Sequence, residues 1–299
     1  MKPSRRSVRG DRSDEFWHTH QSAAPAHTYI FASMPHSALH LGPVDGVCVV
    51  SPAMTPDELL LAACPTIGTL GAAFYFIPET AAKGKEQGLD AFRLYFLGRG
   101  GVLGDTSAAV VASAFGYFHP ELITKMWNSA KTKISPTAAA ALYWEACADL
   151  GRAKLADVDG LEAFVAAAEQ VIVAADDTGL ALFSGIKQMP PAADLAGRAM
   201  QVIAVLREFR GSAHLIAIRS VGLADTRAHF IKRPDMVEFF GWTAADAAVV
   251  TDEDRAKLDR AETVTDLIVQ PAYALLDEAG QQALLHGLTG IQTALQPAA

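Results

Sequence analysis

An all-α fold is what this sequence predicts, and three observations predict it. Alanine and straight-chain helix formers dominate a chain that is 51% hydrophobic, and its β-branched runs are few and short. Helix-opening signals recur along its length. No period-two strand pair with an Asn-Gly or Asp-Gly turn occurs anywhere. At 299 residues the chain is long enough for one large or two ordinary domains with substantial cores.

Taken in order, residues 1–53 read as a flexible N-terminal arm. Lys2, Arg5, Arg6, Arg9 and Arg12 sit among serines, and His18, His20, His27, His36 and His40 follow without helical periodicity. Such a composition buries too little apolar surface to offset the entropy of ordering. His18 and His20 are spaced to catch a metal, but a loose arm supplies no second shell, so no metal site is expected.

Helical grammar begins at Thr55-Pro56-Asp57-Glu58, a capping box with Pro at the first helical position. Asp105-Thr-Ser, Ser135-Pro136, Asp157, Thr243-Ala-Ala-Asp246 and Thr251-Asp-Glu-Asp254 open later helices. The pattern places helices over 56–70, 78–86, 88–98, 106–117, 119–130, 136–152 and 158–176, then over 190–219, 222–230, 243–249, 252–268 and 271–296. Residues 178–189, ahead of Pro190-Pro191, join two helical halves, 54–177 and 178–299.

The halves echo one another. Gly88-Leu-Asp-Ala-Phe-Arg93-Leu-Tyr-Phe96 and Gly222-Leu-Ala-Asp-Thr-Arg227-Ala-His-Phe230 both read Gly-Leu-x-x-x-Arg-x-x-Phe. A loop, a glycine and an Ala-Ala-Val-Val run follow each, so the sequence predicts two pseudo-repeated halves with Arg93 and Arg227 facing a shared cleft.

The formal charge of −8 argues against a polyanion as a general partner. Cys48, Cys64 and Cys147 form neither a disulfide framework nor a metal knuckle, which suits reduced thiols in a cytoplasm. Leu59–Pro78 is uncharged for the length of a membrane span, but Pro65, Gly68, Gly71 and Pro78 interrupt it, so it reads as core helix. No membrane partner is expected, and a homo-oligomer is left open.

The Gly-rich stretch Gly98-Arg-Gly-Gly-Val-Leu-Gly104 invites a nucleotide reading. It lacks the third glycine of a dinucleotide fingerprint, a preceding buried strand and a Gly-Lys-Ser/Thr ending. Asp105 stands where an anion would sit. A tight corner between helices accounts for it better, with Arg99 free to reach a carboxylate.

Arg207, Arg210 and His214 share one helical face at the edge of the apolar stripe Val202, Leu206, Phe209, Ala213 and Ile216. Edge positions suit side chains that bury their stems and aim polar heads into a cleft. One reading is an anion site, with Arg forks for a carboxylate and His214 as donor or proton shuttle. The other is an ion-paired junction satisfied by acids such as Glu79, Asp225 or Glu262, with Glu208 pairing elsewhere. No nucleophile elbow, His-Glu-x-x-His or pair of Glu-x-x-His motifs names a catalytic residue, a metal or a cofactor. The aromatic set from Phe74 to Phe118 is dense enough to line a pocket for a flat organic ligand.

Tyr75-Phe76-Ile-Pro78-Glu79, Tyr95-Phe-Leu-Gly-Arg99-Gly-Gly-Val-Leu103-Gly104, Phe115-Gly-Tyr-Phe118-His-Pro120, Leu206-Arg-Glu-Phe-Arg-Gly-Ser-Ala-His214 and Glu262-Thr-Val-Thr265-Asp266 together resemble an actinobacterial family of SalK-like proteins, often labelled helix-turn-helix or MarR-like. The resemblance covers roughly 55–297 and implies a helical N-terminal region with a degenerate winged-helix-like C-terminal part. The family's central motif reads His-Arg-Gly-Asp, whereas this chain has Phe209-Arg-Gly-Ser212.

Charge tests the regulator label. Residues 240–299 hold three bases against nine acids. DNA binding draws much of its affinity from Lys and Arg neutralising phosphates, so the acidic balance disfavours it. The expectation is a cytoplasmic small-molecule-binding protein, a sensor or an enzyme of unspecified reaction. Its cleft for an anionic or aromatic-acid ligand is lined by Arg93, Arg99, Arg207, Arg210, His214 and Arg227 and supported by Glu79, Glu208 and Glu262. A helix-turn-helix regulator is the alternative.

Overall fold

Twelve α-helices make up the fold, and no strand occurs among the described residues. The computed structural model describes residues 53–243, 245–246 and 249–296. The expected arm and its histidines therefore lie outside the described residues, apart from residue 53.

Local signals explain most of the helix starts. Thr55 and Glu58 form the reciprocal capping box that opens α1 (Pro56–Leu70). Asp90 caps α3 (Ala91–Gly100), which follows α2 (Pro78–Glu86). Ser107 caps α4 (Ala108–Phe115), and His119 caps α5 (Pro120–Lys131). Ser135 caps α6 (Pro136–Lys154); α7 (Leu161–Ala174) starts after Gly160 rather than at Asp157. The short α8 (Ala181–Lys187) lies in the expected junction between halves. Asp194 then caps the 26-residue α9 (Leu195–Ser220).

After α10 (Asp225–Lys232) the chain makes one 3-10 turn, Pro234–Met236, and the described residues from there to Thr251 form no further helix. The helix expected over 243–249 does not form among the described residues; Thr243 and Asp246 close a single turn instead. A second capping box, Thr251 with Asp254, opens α11 (Asp252–Tyr273). A break was expected before Pro271, yet α11 runs through it. The lost N–H falls in the last turn, and burial of Ala272 and Tyr273 outweighs it. Asp277 caps α12 (Glu278–Leu295).

The central element is α9, which packs against α1, α6, α7, α8 and α11. It is consequently buried nearly all round over Ala199–Phe209. Around it, α3 packs on α5 and α6, and α7 on α12. Glycines in the Gly98–Gly104 stretch serve the α3–α6 approach: a Cβ on Gly101 would lie 2.0 Å from the Pro136 carbonyl oxygen.

The two echo segments share a local geometry. Gly88 and Gly222 have φ of +71° and +69°. Leu89 N–H bonds Gly84 C=O, and Leu223 N–H bonds Ile218 C=O, each five residues back. Both are Schellman stops, Gly at C′ and Leu at C″, leading directly into the next helix.

Candidate functional site

Glu208 is the hub of a buried polar node. It is 2% exposed, on the inner side of α9, and pairs away from the Arg210–His214 edge. Arg99 forks onto it, Nε to Oε1 at 2.9 Å and Nη2 to Oε2 at 2.8 Å. Arg207 donates through Nη1 to Oε1 at 2.9 Å and to the Tyr75 hydroxyl at 2.7 Å. Tyr75 donates to Oε1 at 3.0 Å, and Arg99 Nη1 donates to the Tyr95 hydroxyl at 3.1 Å. The Arg99 guanidinium also lies 4.4 Å from the Phe115 ring centre.

Close backbone approaches build this node. A Cβ on Gly71, in the turn after α1, would fall 2.7 Å from Arg207 Cβ. One on Gly98 would fall 2.6 Å from Tyr143 Cβ. Tyr95 and Arg99 follow each other by one turn of α3, which puts both on the α6–α9 side.

Charge does not balance here. Burial pushes the Glu208 carboxyl up, but Arg99, Arg207 and their hydrogen bonds outweigh it and hold the group at about 2. One ionised carboxylate thus faces two guanidiniums, whose side chains are 12% and 28% exposed. Beside them Tyr143 is 4% exposed, and its hydroxyl finds no partner among the described residues. A cavity of about 20 Å³ lies against Phe74, Tyr143, Trp144, Met189, Arg99 and Glu208. It has room for one water molecule.

Arg210 and His214 belong to a second cluster, on the α11 side of α9. Arg210 pairs with Asp266 through Nη1 and with Glu262 through Nη2 at 3.0 Å. Lys232 also pairs with Glu262. Thr265 Oγ1 donates its proton to the Ala261 carbonyl at 2.7 Å, so Oγ1 accepts from His214 Nδ1–H at 2.9 Å. His214 Nε2 then carries the lone pair, 3.9 Å from Glu262 and without a hydrogen bond. Burial first, then Lys232 and Arg210, lower the His214 pKa to about 4, against the pull of Glu262.

The structure does not gather all the expected residues into one cleft. Arg93 binds Asp90 and Ser129 at the start of α3, and Arg227 binds Asp254 and the Val249 carbonyl. Glu79 is exposed. Ile216, expected in the buried stripe, is 40% exposed. Cys64 and Cys147 are free and buried, and burial pushes both thiols up, Cys64 to about 11. No group of three His, Cys, Asp or Glu side chains able to hold a metal occurs among the described residues. None of the helices described is long and apolar enough to cross a membrane.

Sequence reasoning does not assign the tyrosine hydroxyls a role. Tyr75 is grouped with the aromatic set, its hydroxyl inside a run of phenylalanines being the signal of a polar role, and Tyr143 is not singled out. Nor does it foresee the backbone of Tyr117, the non-glycine residue with positive φ among the described residues, at +56°. Phe118 N–H donates to Gly116 C=O at 2.5 Å across it, a strained γ-turn. Trp242 Nε1 donates to the Tyr117 carbonyl at 2.6 Å and His119 N–H to the Phe240 carbonyl at 2.8 Å, clasping the turn to the irregular segment after α10.

No curated protein and no solved structure matches the chain. A helix-turn-helix family matches residues 62–299. That match runs from within α1 to the end of the chain and takes in the Glu208 node, the Glu262 cluster and both echo segments. The chain belongs to this helix-turn-helix family.

Proposed function

We propose that the protein is a small-molecule-binding helical protein, a sensor or an enzyme, whose ligand is an anion attached to an apolar or aromatic body. The observation that carries this reading is the imbalance at Glu208: two inward guanidiniums share one carboxylate. The Arg99 side chain is 12% and that of Arg207 28% exposed, so the surplus charge is only partly solvated and carries a desolvation cost. An anion arriving there recovers much of that energy. Aromatic walls from Phe74, Tyr143 and Trp144 favour a flat body behind the anionic group. Arg210, His214 and Glu262 back the same helix from its far side, where acids already neutralise the bases.

The test is thermal unfolding with benzoate as the probe. A ligand at one hundred times its Kd stabilises by about 2.7 kcal/mol. The expected result is a concentration-dependent rise in Tm for the wild type that Arg207→Gln abolishes, because that substitution leaves Glu208 balanced by Arg99 alone. Arg210→Gln keeps the rise. Equal shifts in the wild type and Arg207→Gln, or none in either, would overturn the reading.

Family membership supports a second reading, a helix-turn-helix transcriptional regulator of the MarR-like kind suggested by the SalK-like resemblance. The helix pair α10–α11 would have to supply the DNA-facing surface. Arg227 is engaged by Asp254, Lys232 by Glu262 and Lys257 by Glu253, which leaves Arg255 and Arg260 as exposed bases on a helix that opens with Asp252, Glu253 and Asp254. Fluorescence anisotropy with a labelled duplex at low salt decides between them. Salt-sensitive submicromolar binding would favour the regulator.

A further inference from the structure

Resting on that ligand reading, we propose that the ring of an aromatic monocarboxylate enters the interior beneath Ile186–Pro190, and that Met189 sets how large a ring the site takes. The cavity beside Tyr143 is where the interior offers space, an unsatisfied hydroxyl and the positive node together. At about 20 Å³ it is far too small for a ring, since a benzene-sized guest needs about 150 Å³. Something in its wall must give way.

Three walls are fixed. Tyr143 lies against Gly98 with no room for a Cβ between α3 and α6, and Ala204 belongs to the buried belt of α9. The fourth wall is thin. It consists of Ile186, at the end of a seven-residue helix, and Met189, in a connection where Gln188, Pro190 and Pro191 are exposed. Three hydrogen bonds tie this cover to its surroundings: Lys187 Nζ to the Ala175 carbonyl at 2.8 Å, Trp144 Nε1 to the Pro190 carbonyl at 2.8 Å, and Ala192 N–H to Gln201 Oε1 at 2.7 Å; none of them involves the Met189 side chain. Met189 is unbranched and half-buried, so its side chain can swing outward while every long helix stays in place. A ring in the vacated space would rest on Phe74, Tyr143 and Trp144. Its carboxylate would then meet the Tyr143 hydroxyl and the unshared N–H groups of Arg99.

Calorimetric titration of the full chain with benzoate and 2-naphthoate tests this. Met189→Ala should tighten 2-naphthoate at least tenfold while changing benzoate less than threefold. The volume-conserving Met189→Leu should leave the ratio of the two affinities as in the wild type, with circular dichroism checking that both variants fold. Benzoate binding that Arg207→Gln abolishes, with a naphthoate-to-benzoate ratio unmoved by Met189→Ala, would overturn the Met189 role and leave the ligand reading standing. No binding of either acid to any variant would overturn both.

Discussion

The two polar clusters on α9 use the same residue types within seven positions of each other, yet they are built on different terms. At Glu208, two guanidiniums converge on one carboxylate that is 2% exposed. At Glu262, two acids answer two bases, and Glu262 and Asp266 are 32% and 41% exposed. The second cluster is a neutral pin joining α9 to α11. The first leaves Arg207, 28% exposed, without an acid of its own and stands beside a hydroxyl with no partner among the described residues. Counting arginines does not separate these roles; counting the acids that reach them does.

Glu208→Leu gives the largest expected effect. It strands Arg99 and Arg207, and loss of one partner of a buried pair costs about 3–5 kcal/mol. For a chain of this size that corresponds to a Tm lower by about 10 °C. A fall of one or two degrees in calorimetry would mean that the node is solvated and stores no charge.

Acid separates the clusters by pH. His214 has a folded pKa of about 4 against an ordinary 6.5, so its unfolded form binds more protons between those values. Its contribution is complete above pH 6.5 and is lost as pH falls toward 4, on the order of 3 kcal/mol. His229, lowered to about 4 by burial and by Arg233, adds to the same window. Glu208 acts later: its contribution is present above about pH 4.5 and is lost as pH falls toward 2. Urea midpoints measured from pH 7 to 4 should fall less steeply in His214→Gln than in the wild type. An unchanged slope would remove His214 from this account.

Gly71→Ala sharpens the contrast by disturbing one cluster alone. The new methyl presses on Arg207 Cβ and Cδ and on the Ile203 carbonyl, an overpacking worth about 1–3 kcal/mol. Benzoate affinity should drop while the pH 7-to-4 slope stays as in the wild type. Arg210→Gln should give the smallest effect, about 1 kcal/mol in chemical denaturation, because its partners are partly solvated. A cost of 3 kcal/mol or more there would make the Glu262 cluster the equal of the Glu208 node.

Much of the fold was legible because its signals are local. Thr55 with Glu58 and Thr251 with Asp254 announce two helices through side-chain reach alone. The Gly-Leu echo marks two Schellman stops for the same reason. The site was harder to read because α9 is enclosed. A helix touched on nearly every side has no single apolar stripe, so periodicity cannot say which neighbour Glu208 faces. Its partners come from residues 75 and 99, more than a hundred positions away. Pro271 misled for the opposite reason: a local breaker was overruled by the packing of Tyr273.

One small contact bears on how the molecule comes together. The Gln281 side-chain amide accepts from Met54 N–H at 2.9 Å and donates to Met54 C=O at 3.0 Å, across 227 positions of sequence. Closing so long a loop has a high entropic cost and is repaid only once the intervening helices are in place. The start of α1 is expected to dock late on α12 and to fray early. Native-state hydrogen exchange should find the Met54 amide opening well below the global unfolding free energy, while the amides of α9 open only with it.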